Sequence, residues 1–338
     1  MIRESIIRLA DGKDLDYDMA YRSMDEIMSG KATEIQMSAY LTALHMKGET
    51  IDEITGSAAG MRSHCVRLLH DLDVLEIVGT GGDGVNSFNI STTSSLVIAA
   101  GGVPVAKHGN RATSSRSGAA DVLEALGVNI RISPEHSTEI LHKIGLCFLF
   151  AQNYHIAMKY VAPVRASLGI RSIFNILGPL VNPAGANMEV MGVFDEQLVE
   201  PLAQVLGQLG VPRALVVYGA DGLDEISMSA ETKVCELRDG IYRSYTISPE
   251  EFGFERCDKS QLIGGSPEEN ARIALDILQG TPGPKRDAVV LNSAAAFYLS
   301  GTRNSMAEGV ALAKLLIDEG KAMRKLDELI WETNRCFK

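Results

Sequence analysis

The sequence has no window of about 18 uninterrupted apolar residues, so no helical membrane span is expected. Cysteine is sparse: Cys65, Cys147, Cys235, Cys257 and Cys336 are scattered along the 338 residues, with no C-x-x-C pair. That scatter argues against a disulfide framework or a zinc site and fits a reducing cytosol, so a cytoplasmic location is expected. The N-terminus, MIRESIIRLADGKDL, has neither a long apolar core nor a small-residue cleavage site, and no signal peptide is expected. Basic residues are outnumbered, 32 Lys and Arg against 43 Asp and Glu, giving a formal charge of -11 and a pI of about 5.2. Such a surface argues against non-specific binding to nucleic acid or to anionic membranes. Any anionic ligand must therefore be held by local features. Internal repeats and low-complexity tracts are also lacking.

What remains is an ordinary globular composition, 46% hydrophobic and 22% charged, in a chain long enough to bury a sizeable core. Residues 1–70 read as four helices without a strand. Asp16 is placed to cap a helix that stops at Gly30. Thr33 with Gln36, and Thr50 with Glu53, have the capping-box spacing. The pattern changes at Val74. VLEIVG, VPVA, VNI and LCFLFA are short β-like runs, each followed by a loop and a helical segment. That alternation predicts a largely parallel α/β sheet. Residues 160–187 are rich in Pro, Gly and Asn without a clear period, and read as a crossing between domains. The α/β pattern resumes with MEVMGVF and RALVVYG, and KVCELRDGIYRSYTI predicts a hairpin turning at Asp239-Gly240. Ser266 with Glu269 starts a further helix, and the last 35 residues or so read as helical.

Three loops carry the chemistry. In the first, EIVGTGGDGVNSFNIST, Gly79, Gly81 and Gly84 spell G-x-G-x-x-G after an apolar run. A dinucleotide fold would place an acid about 20 residues on. Here VPVAKHGN offers Lys107 instead, and no Lys follows Gly84 as a Walker loop would require. The glycines suit close approach of backbone N–H groups to a ligand, and Ser87, Asn89, Ser91 and Thr92 add donors at a helix start. Asp83 fits this place if it meets sugar hydroxyls or a Mg²⁺ bridging to phosphate. The second loop, KHGNRATSS, has two cations, an Asn and three hydroxyls in nine residues, the composition of a phosphate-gripping loop. The third, DGLDEIS, sets Asp224 beside Glu225 after an apolar strand. One or two such carboxylates, with substrate phosphates, commonly hold Mg²⁺. All three loops are expected at the carboxyl edge of the sheet, where open α/β sheets bind ligands.

The stretches GTGGD, FNIST, KHGNRATSSRSGAADVLEALG, HIAMKYVAPVR, FNILGPLVNP and DEIS occur in this order along nearly the whole chain. Together they resemble the anthranilate phosphoribosyltransferases, within the nucleoside phosphorylase/phosphoribosyltransferase fold family. The resemblance implies a small all-helical domain plus a larger α/β domain with a central, largely parallel sheet flanked by helices. The boundaries it suggests are 1–70 for the helical domain, completed by about 165–186, and 71–164 with 187–338 for the α/β domain. It also implies a homodimer joined through the helical domains, with no nucleic-acid or membrane partner. The implied reaction moves phosphoribosyl from 5-phosphoribosyl-1-pyrophosphate to the amine of anthranilate, in tryptophan biosynthesis.

Residue by residue, the resemblance puts the phosphoribosyl donor on Gly79, Gly82, Asp83, Ser87, Asn89, Ile90, Ser91 and Thr92. It continues the donor site over Lys107, His108, Gly109, Asn110, Arg111, Ala112, Thr113, Ser114 and Ser115, and adds Ala119. It puts Mg²⁺, as two ions with the donor, on Ser91, Asp224 and Glu225. It puts anthranilate near Gly79, Asn110 and Arg165, with His108, His155, Gly178 and Pro179 close by. Departures from the family pattern are small: Ser87 for a common Thr, Ile156 for a frequent Pro, Ala119 for a common Ser. Anthranilate's aromatic amine is neutral at pH 7, so no general base is assigned. Two alternatives stand beside this reading. A pyrimidine nucleoside phosphorylase of the same fold would bind inorganic phosphate and a nucleoside, and would not need the DEIS acids. A non-catalytic, nucleic-acid-binding paralogue is the other, against which the acidic pI and the intact GTGGD and DEIS stretches count.

Overall fold

Capping dictates how the chain begins. Helices α1 (Ile2–Ala10), α2 (Tyr17–Met28), α3 (Glu34–Lys47) and α4 (Ile51–Ser63) follow one another without a strand. Asp16 accepts the Met19 N–H at the head of α2, and full capping boxes form at Thr33–Gln36 and Thr50–Glu53. Each side-chain cap satisfies an N–H that a helix start leaves unpaired. The structure, a computed structural model, describes residues 1–112 and 115–335. Thr113 and Ser114, both expected at the donor site, lie outside the described residues.

Among the described residues, one seven-stranded sheet is built from β1 (Leu75–Gly79), β2 (Val105–Gly109), β3 (Leu146–Phe150), β4 (Met188–Gly192), β5 (Arg213–Gly219), β6 (Thr232–Arg238) and β7 (Ile241–Ile247). Its order is β3-β2-β1-β4-β5-β6-β7. The first five strands are mutually parallel, and β6 and β7 are antiparallel. The β6–β7 turn has Asp239 and Gly240 at φ 50° and 83°, as a type I′ hairpin requires. The chain steps outward from β1 to β3, then returns to lay β4 on the other side of β1. The strand order therefore reverses between β1 and β4, and open α/β sheets bind ligands beyond the carboxyl ends at such a point.

The remaining helices are α5 (Ile90–Ala100), α6 (Ala119–Ala125), α7 (Pro134–Ile144), α8 (Ala151–Tyr154), α9 (Ala162–Leu168), α10 (Phe174–Leu180), α11 (Val199–Gln208), α12 (Pro267–Leu278), α13 (Pro284–Leu299), α14 (Met306–Asp318) and α15 (Lys321–Asn334). Two cores flank the sheet. Leu75, Ile77, Val105, Phe148 and Leu215 point to the face covered by α5, α13, α14 and α15. Met191, Ala214 and Val216 point to the other face, in one core with α1–α4 and α11.

Two expectations are corrected. VNI forms no strand; Val128 and Ile130 are buried in an extended connection between α6 and α7. A short apolar run has too few residues for its period to tell a strand from a packed loop. The crossing segment is not irregular: it contains α9 and α10. Pro163 sits in the first turn of α9, where a missing N–H costs nothing, and Pro179 lies inside α10. Val161, Val164, Ile173, Ile176, Leu177 and Leu180 join the core of the N-terminal helices. Burial of that face outweighs the weak local helix signal.

Candidate active site

The first loop leaves β1 at the strand-order reversal. Thr80 N–H donates to the Gly192 carbonyl at 2.9 Å, joining the ends of β1 and β4. The loop after β5 leans back over both ends. Asp224 Oδ2 accepts the Gly81 N–H at 2.6 Å. A Cβ at Gly79 would overlap the Asp224 carboxylate, and one at Gly192 its carbonyl. The missing side chain at Gly79 thus leaves room for Asp224. Gly81, Gly82 and Gly84 have φ of 71°, 74° and 73°, which side chains with a Cβ rarely adopt. Among the described residues, the N–H groups of Gly82, Asp83 and Gly84 meet no acceptor. Consecutive free amides of this kind form an anion-binding nest.

Acids crowd the same place. Glu225 Oε1 accepts the Ser91 N–H at 3.0 Å in the first turn of α5, so the structure brings Ser91, Asp224 and Glu225 together. The Asp83 carboxyl lies beside that of Asp224, and among the described residues its buried Oδ2 accepts no N–H. Burial, with Asp83 and Glu225 adding repulsion, raises the Asp224 carboxyl well above the usual range. Burial likewise pushes Glu225 up to about 7, against the pull of Lys107. Lys107 is buried on β2 and donates to the Ile77 carbonyl at 2.6 Å. Burial lowers its ammonium, while Glu76, Glu225 and Asp224 hold it up.

The second loop is organised from below by Asp121, which accepts the Ala112 and Gly118 N–H groups at 2.8 and 3.0 Å. Arg111 is tied down, donating to Asp121 at 2.9 Å and to Glu124 at 2.6 Å. Asn110 is exposed and accepts the Arg111 N–H. Ser115 reaches the Ser117 carbonyl at 3.4 Å. Asn89 bridges the two loops: it donates to the Ser117 carbonyl at 3.1 Å and accepts from Asn270 at 2.8 Å. Ser87 pairs with Ile263 in an isolated antiparallel bridge. Ile90 and Thr92 are buried behind them, and Ala119 sits against Gly109.

A different environment lies under the second loop. The rings of His108 and His155 stand 5.1 Å apart. His108 donates to the Gly178 carbonyl, next to Pro179, and His155 to the Val181 carbonyl. Burial holds both imidazoles neutral, His155 at about 4 and His108 well below its ordinary value, where His155 and Lys107 add repulsion. Nε2 of His108 is buried without a partner. Arg165, on α9, lies 5.1 Å over the Phe174 ring and has no carboxylate partner among the described residues. Thr80 Oγ1, Asp83 Oδ2, His108 Nε2 and Ser117 Oγ are all buried near the carboxyl edge and meet no hydrogen-bond partner among the described residues. Groups of this kind at one sheet edge point to a ligand that completes them.

Comparison with known proteins agrees. A glycosyl transferase family helical bundle domain matches residues 3–65, and the a/b domain of the same family matches residues 71–323. The anthranilate phosphoribosyltransferase of Methanobrevibacter smithii is 65% identical over 334 residues, 99% of this chain and 100% of that protein. The chain belongs to the anthranilate phosphoribosyltransferase family. The crystal structure of the Thermus thermophilus member superimposes with a TM-score of 0.93 at 44% identity, covering 98% of this chain and 99% of that one. The Saccharomyces cerevisiae member, in complex with PRPP and Mg, gives 0.90 at 28% identity, covering 98% and 97%.

Three residues of this anthranilate phosphoribosyltransferase-family site went unread in the sequence. Glu76, fully buried on β1, accepts the His108 N–H at 3.0 and 3.2 Å and an amide hydrogen of Asn182. Burial pushes its carboxyl up to about 7. The signal was an acid inside the apolar run VLEIVG. Asp121 could have been found three residues after Gly118, at the capping position of α6. Arg171 donates to the Gly82 carbonyl, a contact that no local pattern announces.

Proposed function

We propose that this chain transfers the phosphoribosyl group of 5-phosphoribosyl-1-pyrophosphate to the amine of anthranilate. The observation that carries the proposal is the pairing of two environments at one sheet edge. Clustered acids and free amides lie at the same edge as two buried neutral imidazoles, and the Arg165 guanidinium, stacked on Phe174, has no carboxylate partner among the described residues. The fit of this chain to its Thermus and yeast relatives supports it.

In the proposed reaction the amine nitrogen bonds to C1 of the ribose as the C1–O bond breaks. The bonding pair leaves with pyrophosphate, and the amine loses a proton. The amides of Gly82, Asp83 and Gly84 bind the departing oxyanion, and preorganised donors of this kind stabilise charge as it develops. Lys107 sits below with its field directed along the same edge. Arg165 pairs with the anthranilate carboxylate in the bidentate manner that a guanidinium allows. His108 and His155, both neutral, line a dry slot for the ring. No residue is assigned as a general base, because the aromatic amine needs none.

Ser91, Asp224 and Glu225 fit Mg²⁺, since all three offer hard oxygen donors and the acids hold more negative charge than Lys107 offsets. When bound, Mg²⁺ screens the pyrophosphate charge and stabilises it as a leaving group. Among the described residues no three His, Cys, Asp or Glu side chains converge to hold a metal unaided. This suits ions shared with donor phosphates, and we assign two. We further propose a cytoplasmic homodimer joined through the helical region. Ile7, Ile35 and Met46 on α1 and α3 are 58%, 82% and 81% exposed, an apolar surface that a second copy would cover.

Anthranilate consumption and pyrophosphate release should be equal, and should require both substrates and Mg²⁺. Phosphorolysis of thymidine with anthranilate untouched would instead establish the nucleoside phosphorylase reading.

A further inference from the structure

Arg171 lies in the turn between α9 and α10, two residues past Gly169, which ends α9 at φ 63°. Its guanidinium donates to the Gly82 carbonyl and lies 4.2 Å over the ring of Phe194. Phe194 follows β4 and Gly82 follows β1. One side chain thus reaches from a third segment across the strand-order reversal and touches the exits of both strands. No carboxylate pairs with it among the described residues, so its charge is directed at the loop. We propose that Arg171 is a positioning residue that sets the donor loop through the Gly82 carbonyl; the inference rests on the donor reading given above.

The physical link is the peptide plane. Gly82 has φ 74°, and a glycine there can rotate its carbonyl at little cost. In a trans peptide the C=O and the following N–H point in opposite directions. Holding the Gly82 carbonyl outward on Arg171 therefore aims the Asp83 N–H to the opposite side of the loop. Asp83 N–H is the middle one of the three free amides. Arg171 thus presents the nest without touching the donor. Its turn leads into Phe174, the first residue of α10 and the ring beneath Arg165. Ser172 N–H, bonded to Asn175 at 3.0 Å, stiffens that turn.

Arg171→Ala and Arg171→Lys are the test, with Phe194→Leu as a third variant that keeps the guanidinium and removes its platform. Arg171→Ala should raise KM for the donor about 10-fold and leave KM for anthranilate within about 2-fold. Arg171→Lys should recover only part, because an ammonium cannot stack and donate in the same plane. Phe194→Leu should move the donor KM in the same direction by less. In the ligand-free protein, backbone amides at 80–86 should exchange faster in Arg171→Ala, with exchange elsewhere unchanged. In Arg171→Ala at wild-type Tm, a donor KM within about 2-fold of wild type, or unchanged exchange at 80–86, overturns the proposal; if that variant loses Tm, a wild-type donor KM in Arg171→Lys does so. A wild-type protein inactive with anthranilate and the donor would overturn the functional reading instead. The exchange measurement judges Arg171 independently of that result.

Discussion

Two poles share one sheet edge and are built on opposite electrostatic terms. At one, Asp83, Asp224 and Glu225 gather near Lys107, and burial drives the Asp224 and Glu225 carboxyls toward holding protons. At the other, His108 and His155 are buried beside each other and stay neutral. The first is incomplete without a cation, because excess charge in a low-dielectric crevice is costly until it is paired. The second is complete without one: its imidazoles donate to carbonyls and pay no charge desolvation. A polyphosphate with its metal suits the first environment, and a flat aromatic with one carboxylate suits the second.

The comparison can be broken most directly at the acids. The double change Asp224→Asn with Glu225→Gln should lower the rate at saturating donor by on the order of 100-fold or more. It should also flatten the response to Mg²⁺. Initial rates against Mg²⁺ concentration check this, and overlapping curves for the two proteins would reduce the acids to a solvated loop. Next in size is Arg165→Ala, which should cost anthranilate use about 1.5–3 kcal/mol and leave donor affinity nearly unchanged. A fall in donor affinity alone would move Arg165 to the wrong pole. Gly192→Ala should follow, at about 1–3 kcal/mol of stability, because its Cβ would collide with the Asp224 backbone. Denaturant midpoints measure that loss, and a weaker Mg²⁺ response should accompany it.

The smallest effect sharpens the contrast through pH. His155 drops from 6.5 to about 4, so the folded state resists its protonation. Its contribution to stability is present above 6.5 and is lost as pH falls toward 4. Glu225 has the opposite sign. Its carboxyl rises from 4.5 to about 7, so the metal-free protein loses stability as pH climbs through that range. Mg²⁺ with the donor should recover Tm on the alkaline side and leave the acid side unchanged. Equal recovery on both sides would mean that the poles are not electrostatically separate.

Much of this was legible in the chain itself. Caps at Asp16, Thr33, Thr50 and Ser266 sit where spacing put them, because capping is a local hydrogen bond between near neighbours. The β6–β7 hairpin, with its turn at Asp239-Gly240, was equally local. Residues 162–180 were misread as irregular, since their helices are held by burial against α1–α4 and not by propensity. Arg111 looked like a phosphate grip by composition, yet in the structure it pairs with acids one and two turns along the next helix.

Helix starts, strand alternation and the residue types at three loops are readable along the chain, because all are properties of neighbours within a few positions. What those residues meet is set by how the elements pack. Asp224 reaches Gly81 across 143 positions, Glu225 reaches Ser91 across 134, and Arg171 reaches Gly82 across 89. The first two contacts exist because parallel strands bring the loops at their carboxyl ends to one edge, and the third because the α9–α10 turn packs over the strand-order reversal between β1 and β4. No local pattern encodes which distant carboxylate will lie over a given glycine; packing of the finished sheet does.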